Sequence, residues 1–119
     1  METAKKMKTV TLEVASAEAV TRRALEAFKG RKQPPRISFA SPELLWRVLT
    51  AKRWGLLKAM AGQGPMTIRA AARRVGRDVK AVHSDVHALL DAGLIDRGED
   101  GRIEFRFGAV RVDFTLHAA

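Results

Sequence analysis

The chain of 119 residues contains no cysteine and no tyrosine, and only two tryptophans. The lack of cysteine excludes disulfides, thiolate zinc sites and cysteine nucleophiles. Few aromatic side chains means few stacking platforms for bases, which argues against a protein dedicated to single-stranded nucleic acid. The sequence has no apolar run near the roughly 18–20 residues that a membrane helix needs, and none that resembles a signal-peptide core. We therefore expect a cytoplasmic protein.

Acidic residues are scarce relative to basic ones. Lys and Arg number 22 against 13 Asp and Glu, which gives a formal net charge of +9. A surplus this large favours a polyanionic partner, because neutralising phosphates releases counterions and yields affinity independent of sequence. The first 40 residues share the surplus, with nine basic and four acidic residues. Charge alone therefore does not locate a binding face.

Catalytic signatures are also missing. The sequence contains no GxSxG, no HExxH, no phosphate-binding loop and no cluster of acidic residues. Its hydrophobic content of 46% is nevertheless that of a folded globular protein. We therefore expect a non-enzymatic binding protein with no catalytic residues and no cofactor.

The N-terminal third predicts a strand followed by a helix. Residues 7–14 alternate apolar and polar side chains, which is typical of a half-buried strand. Ser16 is a candidate N-cap for a helix up to Lys29, whose apolar stripe we expect to lie in the core or in an interface, and Gly30 is the C-cap. Residues 31–39 contain two consecutive prolines and predict an extended linker. We therefore divide the chain into a strand–helix extension with its linker, 1–38, and a domain over 39–119. The extension is the expected dimerisation element, and we expect it to build the interface together with a strand at 110–116.

The second part predicts four helices and then a hairpin. Caps at Ser41, Thr50, Thr67 and Asp78 open helices that end near residues 49, 62, 75 and 92. The turn sequence Glu99-Asp100-Gly101 lies between two strand-like segments, and residues 110–116 predict a last strand. A short helix joined to a longer one by a tight glycine turn is a helix-turn-helix, and the hairpin makes it winged. The predicted fold class is therefore α+β: a winged helix-turn-helix with an N-terminal strand–helix extension and a C-terminal strand.

The longer helix of such a motif enters the major groove of DNA. Its stripe of Val79, Val82, Val86, Leu89 and Leu90 should face the core. The side chains then turned outward can donate to guanine or phosphate, bond to any base, or touch a thymine methyl. These predicted base-reading residues are Lys80, Ala81, His83, Ser84 and His87.

Further side chains suit phosphate contacts, which fix the register without reading sequence. We expect such contacts from residues at the start of the short helix, along it, in the turn and beside the hairpin tip. They are Thr67, Arg69, Arg73, Arg77, Arg97 and Arg102. Asp85 repels phosphate, so we expect it to face a cation of the protein or solvent.

Two histidines in the longer helix have a spacing that suits a metal ion. His83 and His87 are four residues apart, and His117 is the third and last histidine. Because no cysteine can complete the site, we favour DNA contact or plain exposure over a metal site.

Three segments also resemble a known family: "LTAKRWGLLKAM", "GPMTIRAAARRVGRDVKAVHSDVHALLDAGLIDR" and "GRIEF". They are similar to a prokaryotic family of MarR-like winged-helix DNA-binding proteins. The resemblance extends to the N-terminal strand, helix and "RISFASPE" linker, and thus covers most of the chain. Members are often transcriptional regulators, and some resemble antitoxins of the TumA type. The resemblance implies a DNA-binding autorepressor with a protein toxin as a second partner.

The expected function is therefore a sequence-specific regulator of transcription that binds double-stranded DNA as a homodimer. A dimer is expected because one reading helix covers few base pairs and two-fold proteins bind palindromes. One alternative is a protein–protein module that neutralises an acidic partner, such as a toxin, and binds DNA only nonspecifically. Another is a protein that binds double-stranded RNA or packages DNA without sequence preference.

Overall fold

The computed structural model describes residues 7–116 and 118, and these form an α+β fold with five helices and five strands. Residues 1–6, His117 and Ala119 lie outside the described residues. The strands are β1 (Thr9–Val14), β2 (Arg36–Phe39), β3 (Asp96–Arg97), β4 (Ile103–Glu104) and β5 (Ala109–Asp113). The helices are α1 (Ala17–Phe28), α2 (Pro42–Val48), α3 (Ala51–Met60), α4 (Ile68–Val75) and α5 (Val79–Asp91).

The first strand lies at the centre of a three-stranded sheet with the order β2-β1-β5. Both neighbours run parallel to it, so that Leu12 is opposite Ile37 on one side and Val112 on the other. Residues 36–39, for which the sequence predicted a linker, are therefore a strand. The two prolines end before it begins, which leaves the backbone N–H groups of residues 36–39 free to pair.

The alternation in β1 separates an apolar face from a polar one. Val10 and Leu12 are buried in the core, whereas Glu13 points to the opposite face. There its carboxylate accepts hydrogen bonds from Arg23 of α1, from Ser38 Oγ at 3.0 Å, and from Arg36 Nη1 at 3.3 Å. The helix α1 thus crosses the polar face of the sheet. None of its twelve residues is buried, so its predicted apolar stripe does not belong to the core.

A single cluster of buried apolar side chains joins the sheet to the helices. It contains Leu12 from β1 together with Leu45 of α2, Leu56 of α3 and Leu89 of α5. The hairpin contributes Ile103, which is fully buried. Each helix that supplies these side chains therefore has its orientation fixed by the same core.

The predicted helix boundaries agree with the structure to within a residue or two, and the predicted strands are shortened. The last strand ends at Asp113 instead of residue 116. Val79, predicted to face the core, is 37% exposed at the first position of α5, whereas Val82 and Val86 are fully buried. Within the described part of the chain, no helix has the length and apolarity needed to cross a membrane.

Candidate functional site

The helices α4 and α5 are joined by a turn that the backbone of Gly76 makes possible. Gly76 has a φ of +65°, and its N–H donates to carbonyls in the last turn of α4. Such a left-handed conformation is cheap only for glycine. Asp78 then caps α5 by accepting from Lys80 N at 3.1 Å. The three residues of the turn therefore set the angle at which α5 leaves α4.

An ionic cluster fixes α5 against the preceding helices. Asp85 Oδ2 accepts from Arg77 Nη2 at 2.6 Å, and its Oδ1 accepts from Arg53 Nε at 3.0 Å. Arg53 also donates to the carbonyls of Arg47 and Val48 at the end of α2. The carboxylate of Asp85 thus links the turn, α3 and, through Arg53, α2 to the middle of α5.

The two guanidinium groups of this cluster stabilise the charged form of the Asp85 carboxylate. Burial by itself raises the pKa of Asp85, but the guanidinium groups of Arg77 and Arg53 outweigh it and hold the pKa below its usual value. The expectation that Asp85 faces a cation of the protein is confirmed. Arg77, which we predicted to contact phosphate, has its guanidinium group on Asp85 with only 20% of its side chain exposed.

The outward face of α5 carries the residues that the sequence singled out. Val82, Val86 and Leu89 are buried on the opposite side. Because helical residues three and four apart share a face, the outward residues form a row roughly along the helix axis. All of them are exposed: Lys80, Ala81, His83, Ser84 and His87.

The two histidines of this row touch each other. His83 Nε2 and His87 Nε2 are 3.2 Å apart, and the ring centroids are separated by 4.3 Å. In the part of the chain that the structure describes, no group of three or more His, Cys, Asp or Glu side chains is arranged to hold a metal ion. The two exposed imidazole rings thus offer ring nitrogens that can donate or accept hydrogen bonds on the outward face of α5.

The short helix α4 brings further predicted residues to the same region. Thr67 is its N-cap, and its hydroxyl accepts from Ala70 N at 3.0 Å. Thr67, Arg69 and Arg73 are all exposed. Arg74, which was not predicted from the sequence, is also exposed and donates to Gln63 Oε1 at 3.1 Å. Its positive charge next to Arg73 in the sequence is the signal by which it could have been predicted.

The hairpin is attached directly to the start of α4. Met66 N donates to Ile103 O and Ile103 N donates to Met66 O, both at 2.8 Å. Arg97 and Arg102 lie on either side of the hairpin tip and are exposed. Because Met66 precedes Thr67, the hairpin cations are held close to the start of α4 by these two hydrogen bonds.

One further hairpin cation was not predicted from the sequence. Arg106 is exposed just after β4, and its Nε lies 3.1 Å from Asp96 Oδ2 and 3.9 Å from Glu104 Oε1. Glu104 is two residues before Arg106 in the chain, whereas Asp96 lies across the hairpin, so the sequence alone gave no hint of the nearer partner. Arg102, nearer the tip, lies 3.7 Å from Asp100 through its Nε and is likewise exposed.

Comparison with known proteins gives one family. Residues 48–112, which run from the end of α2 into β5, match the model of a protein family described as HVO_A0114. The match covers slightly more than half of the chain and includes α3, α4, α5 and the hairpin. No curated protein and no solved structure matches the chain.

Proposed function

The chain belongs to the HVO_A0114 family, and we propose that it is a sequence-specific regulator of transcription that binds double-stranded DNA. The observation that carries this proposal is the exposed row on α5, which has polar and cationic side chains opposite the buried Val82, Val86 and Leu89. A helix held on one side and free on the other is suited to enter the major groove, which is wide enough to admit it.

In this proposal α4, the Gly76 turn and α5 are a helix-turn-helix, and the hairpin of β3 and β4 is its wing. The order of the elements and the attachment of Met66 to Ile103 support this assignment. The resemblance of these segments to MarR-like winged-helix proteins is in line with it. The reading helix would be α5, and the wing would approach the backbone or a neighbouring groove.

The residues have different roles in such a complex. Lys80, His83 and Ser84 have donors or acceptors near the N-terminal part of α5, where base edges are read. Exposed cations elsewhere would contact phosphates. Such contacts fix the register of the protein on DNA but do not distinguish one sequence from another. This second group consists of Arg69, Arg73, Arg97 and Arg102, and Thr67 can join it through its hydroxyl group. Arg77 acts through Asp85 to position α5.

We further propose that the protein works as a cytoplasmic homodimer that represses its own promoter by occlusion. A dimer doubles the short sequence that one reading helix covers, and the net charge of +9 supplies general affinity for DNA. The resemblance to antitoxins of the TumA type adds a protein toxin as a candidate second partner.

The exposed face of α1 favours a second candidate function. Leu25 is 57% exposed and Phe28 is 91% exposed, beside cations such as Arg22 and Lys29. Exposed apolar side chains framed by positive charge suit an acidic protein partner. In this alternative the chain neutralises such a partner and binds DNA only nonspecifically.

Fluorescence anisotropy distinguishes the two functions. The probe is labelled DNA from upstream of the protein's own gene, titrated with protein against scrambled competitor at about 50 and 200 mM salt. Tighter binding to the promoter that persists at the higher salt supports the regulator. Equal binding to both sequences that disappears at the higher salt refutes sequence-specific reading and leaves the protein-binding alternative.

A further inference from the structure

The outer edge of β5 lies beside both tryptophans of the chain. Trp46 and Trp54 are 53% and 43% exposed. The ring of Trp46 packs edge-on against Phe114, with centroids 5.7 Å apart. Trp54 and Val112 line an apolar groove of about 440 Å³. Half-exposed tryptophans beside an apolar groove are typical of a protein interface, because they bury a large area at little cost in side-chain entropy.

The backbone of β5 is unpaired on the same side. Among the described residues, β5 pairs only with β1. Thr11 N donates to Pro35 O at 3.1 Å, so Thr11 faces β2 and its neighbours Val10 and Leu12 face β5. In a parallel ladder a residue bonds to the two neighbours of the residue opposite it. Since Leu12 is opposite Val112, its bonds go to Arg111 and Asp113.

It follows that the intervening residues of β5 point the other way. Val110 and Val112 direct their N–H and C=O groups to the open edge, while their side chains lie toward the core. Arg111 and Asp113 project from the opposite face of the strand, where they are exposed and 3.7 Å apart. An open edge of this kind is a template for another strand.

We propose that β5 pairs with β5 of a second copy of this chain, antiparallel, about a two-fold axis at Val112. The two sheets then become one sheet of six strands, and the partner covers the groove beside Trp54. The inference rests on the homodimer proposed above and assigns its surface and register. It does not involve α5, so the reading face stays free for DNA.

The charges select the register. Because only alternate residues present backbone groups to the edge, a symmetric pairing can shift only in steps of two residues. With the axis at Val112, Arg111 lies opposite the partner's Asp113, and this pair occurs twice. With the axis at Arg111, that side chain would meet the partner's Arg111, and like charges directly opposite are destabilising. The favoured pairs lie at positions without backbone hydrogen bonds, where side chains are closest.

The opposite face is complementary as well. In the same register, Val110 lies opposite the partner's Phe114, so an aromatic ring meets a β-branched side chain, which is a favourable cross-strand pair. Both residues are only partly buried in the single chain. Their pairing extends the core across the two-fold axis.

Charge reversal tests the register directly. Arg111→Asp puts Asp opposite Asp113 twice, and Asp113→Arg puts Arg opposite Arg111 twice. We expect each variant to weaken self-association by about tenfold or more. Mixing the two variants restores both pairs, so an equimolar mixture should form heterodimers. The double variant Arg111→Asp/Asp113→Arg should self-associate like the original chain.

The measurements are light scattering after size exclusion over a range of concentrations, and native mass spectrometry of the mixture. Circular dichroism verifies that each variant is folded. Arg111→Asp and Asp113→Arg change the net charge by two units in opposite directions, so weaker self-association of both is not an effect of net charge. Reversals that leave the dimer intact, or variants that do not complement each other, overturn the β5 interface. A monomeric original chain overturns it too. DNA anisotropy on the same samples reports separately on DNA reading.

Discussion

Arg77 Nη2, in the turn that joins α4 to α5, donates to Asp85 Oδ2 in the middle of α5 at 2.6 Å. From the sequence, both Arg77 and the nearby Lys80 were expected to touch DNA. The structure distinguishes the two residues, because Arg77 is half-buried on Asp85 while Lys80 is exposed. Loss of DNA binding on replacing Arg77 would therefore not by itself identify a phosphate contact.

We predict that Asp85→Asn lowers the free energy of unfolding by roughly 1–3 kcal/mol, because it leaves two half-buried guanidinium groups without a counter-charge. The lowered pKa also sets a pH dependence. The stabilisation by Asp85 is complete above its unfolded-state pKa near 3.8 and is lost as the pH falls through the lower folded-state pKa. Urea unfolding between pH 2 and 7 measures both effects. Asp91→Asn, at an exposed site on α5, is the control. Equal losses in both variants would contradict the role of the cluster.

Gly76→Ala should destabilise the protein by about 1–2 kcal/mol, because the turn needs a φ of +65°. The position is open, with nothing within 4 Å of an added Cβ, so the cost comes from the local backbone conformation and not from a clash with surrounding residues. Gly55→Ala is the matched control: it lies within α3 and is equally open. That variant should be more stable by roughly 0.5–1 kcal/mol. Thermal unfolding of both variants distinguishes a requirement for positive φ in the turn from a general effect of replacing glycine. A Gly76→Ala variant as stable as the original chain would refute that requirement.

Lys80→Ala should weaken binding to the promoter by about tenfold and leave the unfolding midpoint unchanged, because the side chain is exposed and its loss removes a donor from the reading face. Lys58→Ala, an exposed lysine of α3 outside the proposed surface, should bind as the original does. Anisotropy on promoter and scrambled DNA is the measurement. If the two variants bind DNA with equal affinity, α5 is not the reading helix.

Thr67 and Thr50 allow capping to be separated from DNA contact. Both are N-caps whose hydroxyls accept from a backbone N–H, at 3.0 Å in α4 and 3.2 Å in α3. Replacing either by alanine should cost about 1 kcal/mol of stability. Only Thr67→Ala should also reduce DNA affinity, because only Thr67 lies beside the proposed interface. Thr67→Ser, which keeps the hydroxyl, should restore both. Unaltered DNA binding by Thr67→Ala would limit the residue to capping.

Hairpin cations should contribute affinity without sequence preference. Replacing both Arg97 and Arg102 by alanine should weaken binding to promoter and scrambled DNA by the same factor. The slope of log affinity against log salt should fall by roughly one for each phosphate that the variant no longer neutralises. Arg22→Ala/Lys29→Ala, with the same reduction of charge on α1, should keep the original slope. A hairpin variant that loses binding only to the promoter would show that these residues read sequence.

The local structure follows from residues close together in the chain. Thr67, Gly76 and Asp78 mark the ends of α4 and α5 in the sequence because a cap or a positive φ involves atoms only a few residues apart. The exposed row on α5 was predictable for the same reason, since burial of Val82 and Val86 orients the whole helix. Prediction was incomplete where the structure of a segment depends on residues distant in the chain. Residues 36–39 were expected to be a linker because two prolines precede them, and nothing nearby in the sequence indicates that β1 is their strand partner.

The sequence by itself therefore determined the helices, their caps and glycine turns, the outward face of α5, and the positive charge of the chain. Only the tertiary structure decided that β1 lies between β2 and β5, that Glu13 is buried against Arg23, and that Arg77 and Arg53 converge on Asp85. Strand neighbours about a hundred residues apart, such as Leu12 and Val112, meet only because the folded chain buries both against one core. Periodicity identifies a strand and its buried face, but its partner is fixed by backbone hydrogen bonds and charges distant in sequence.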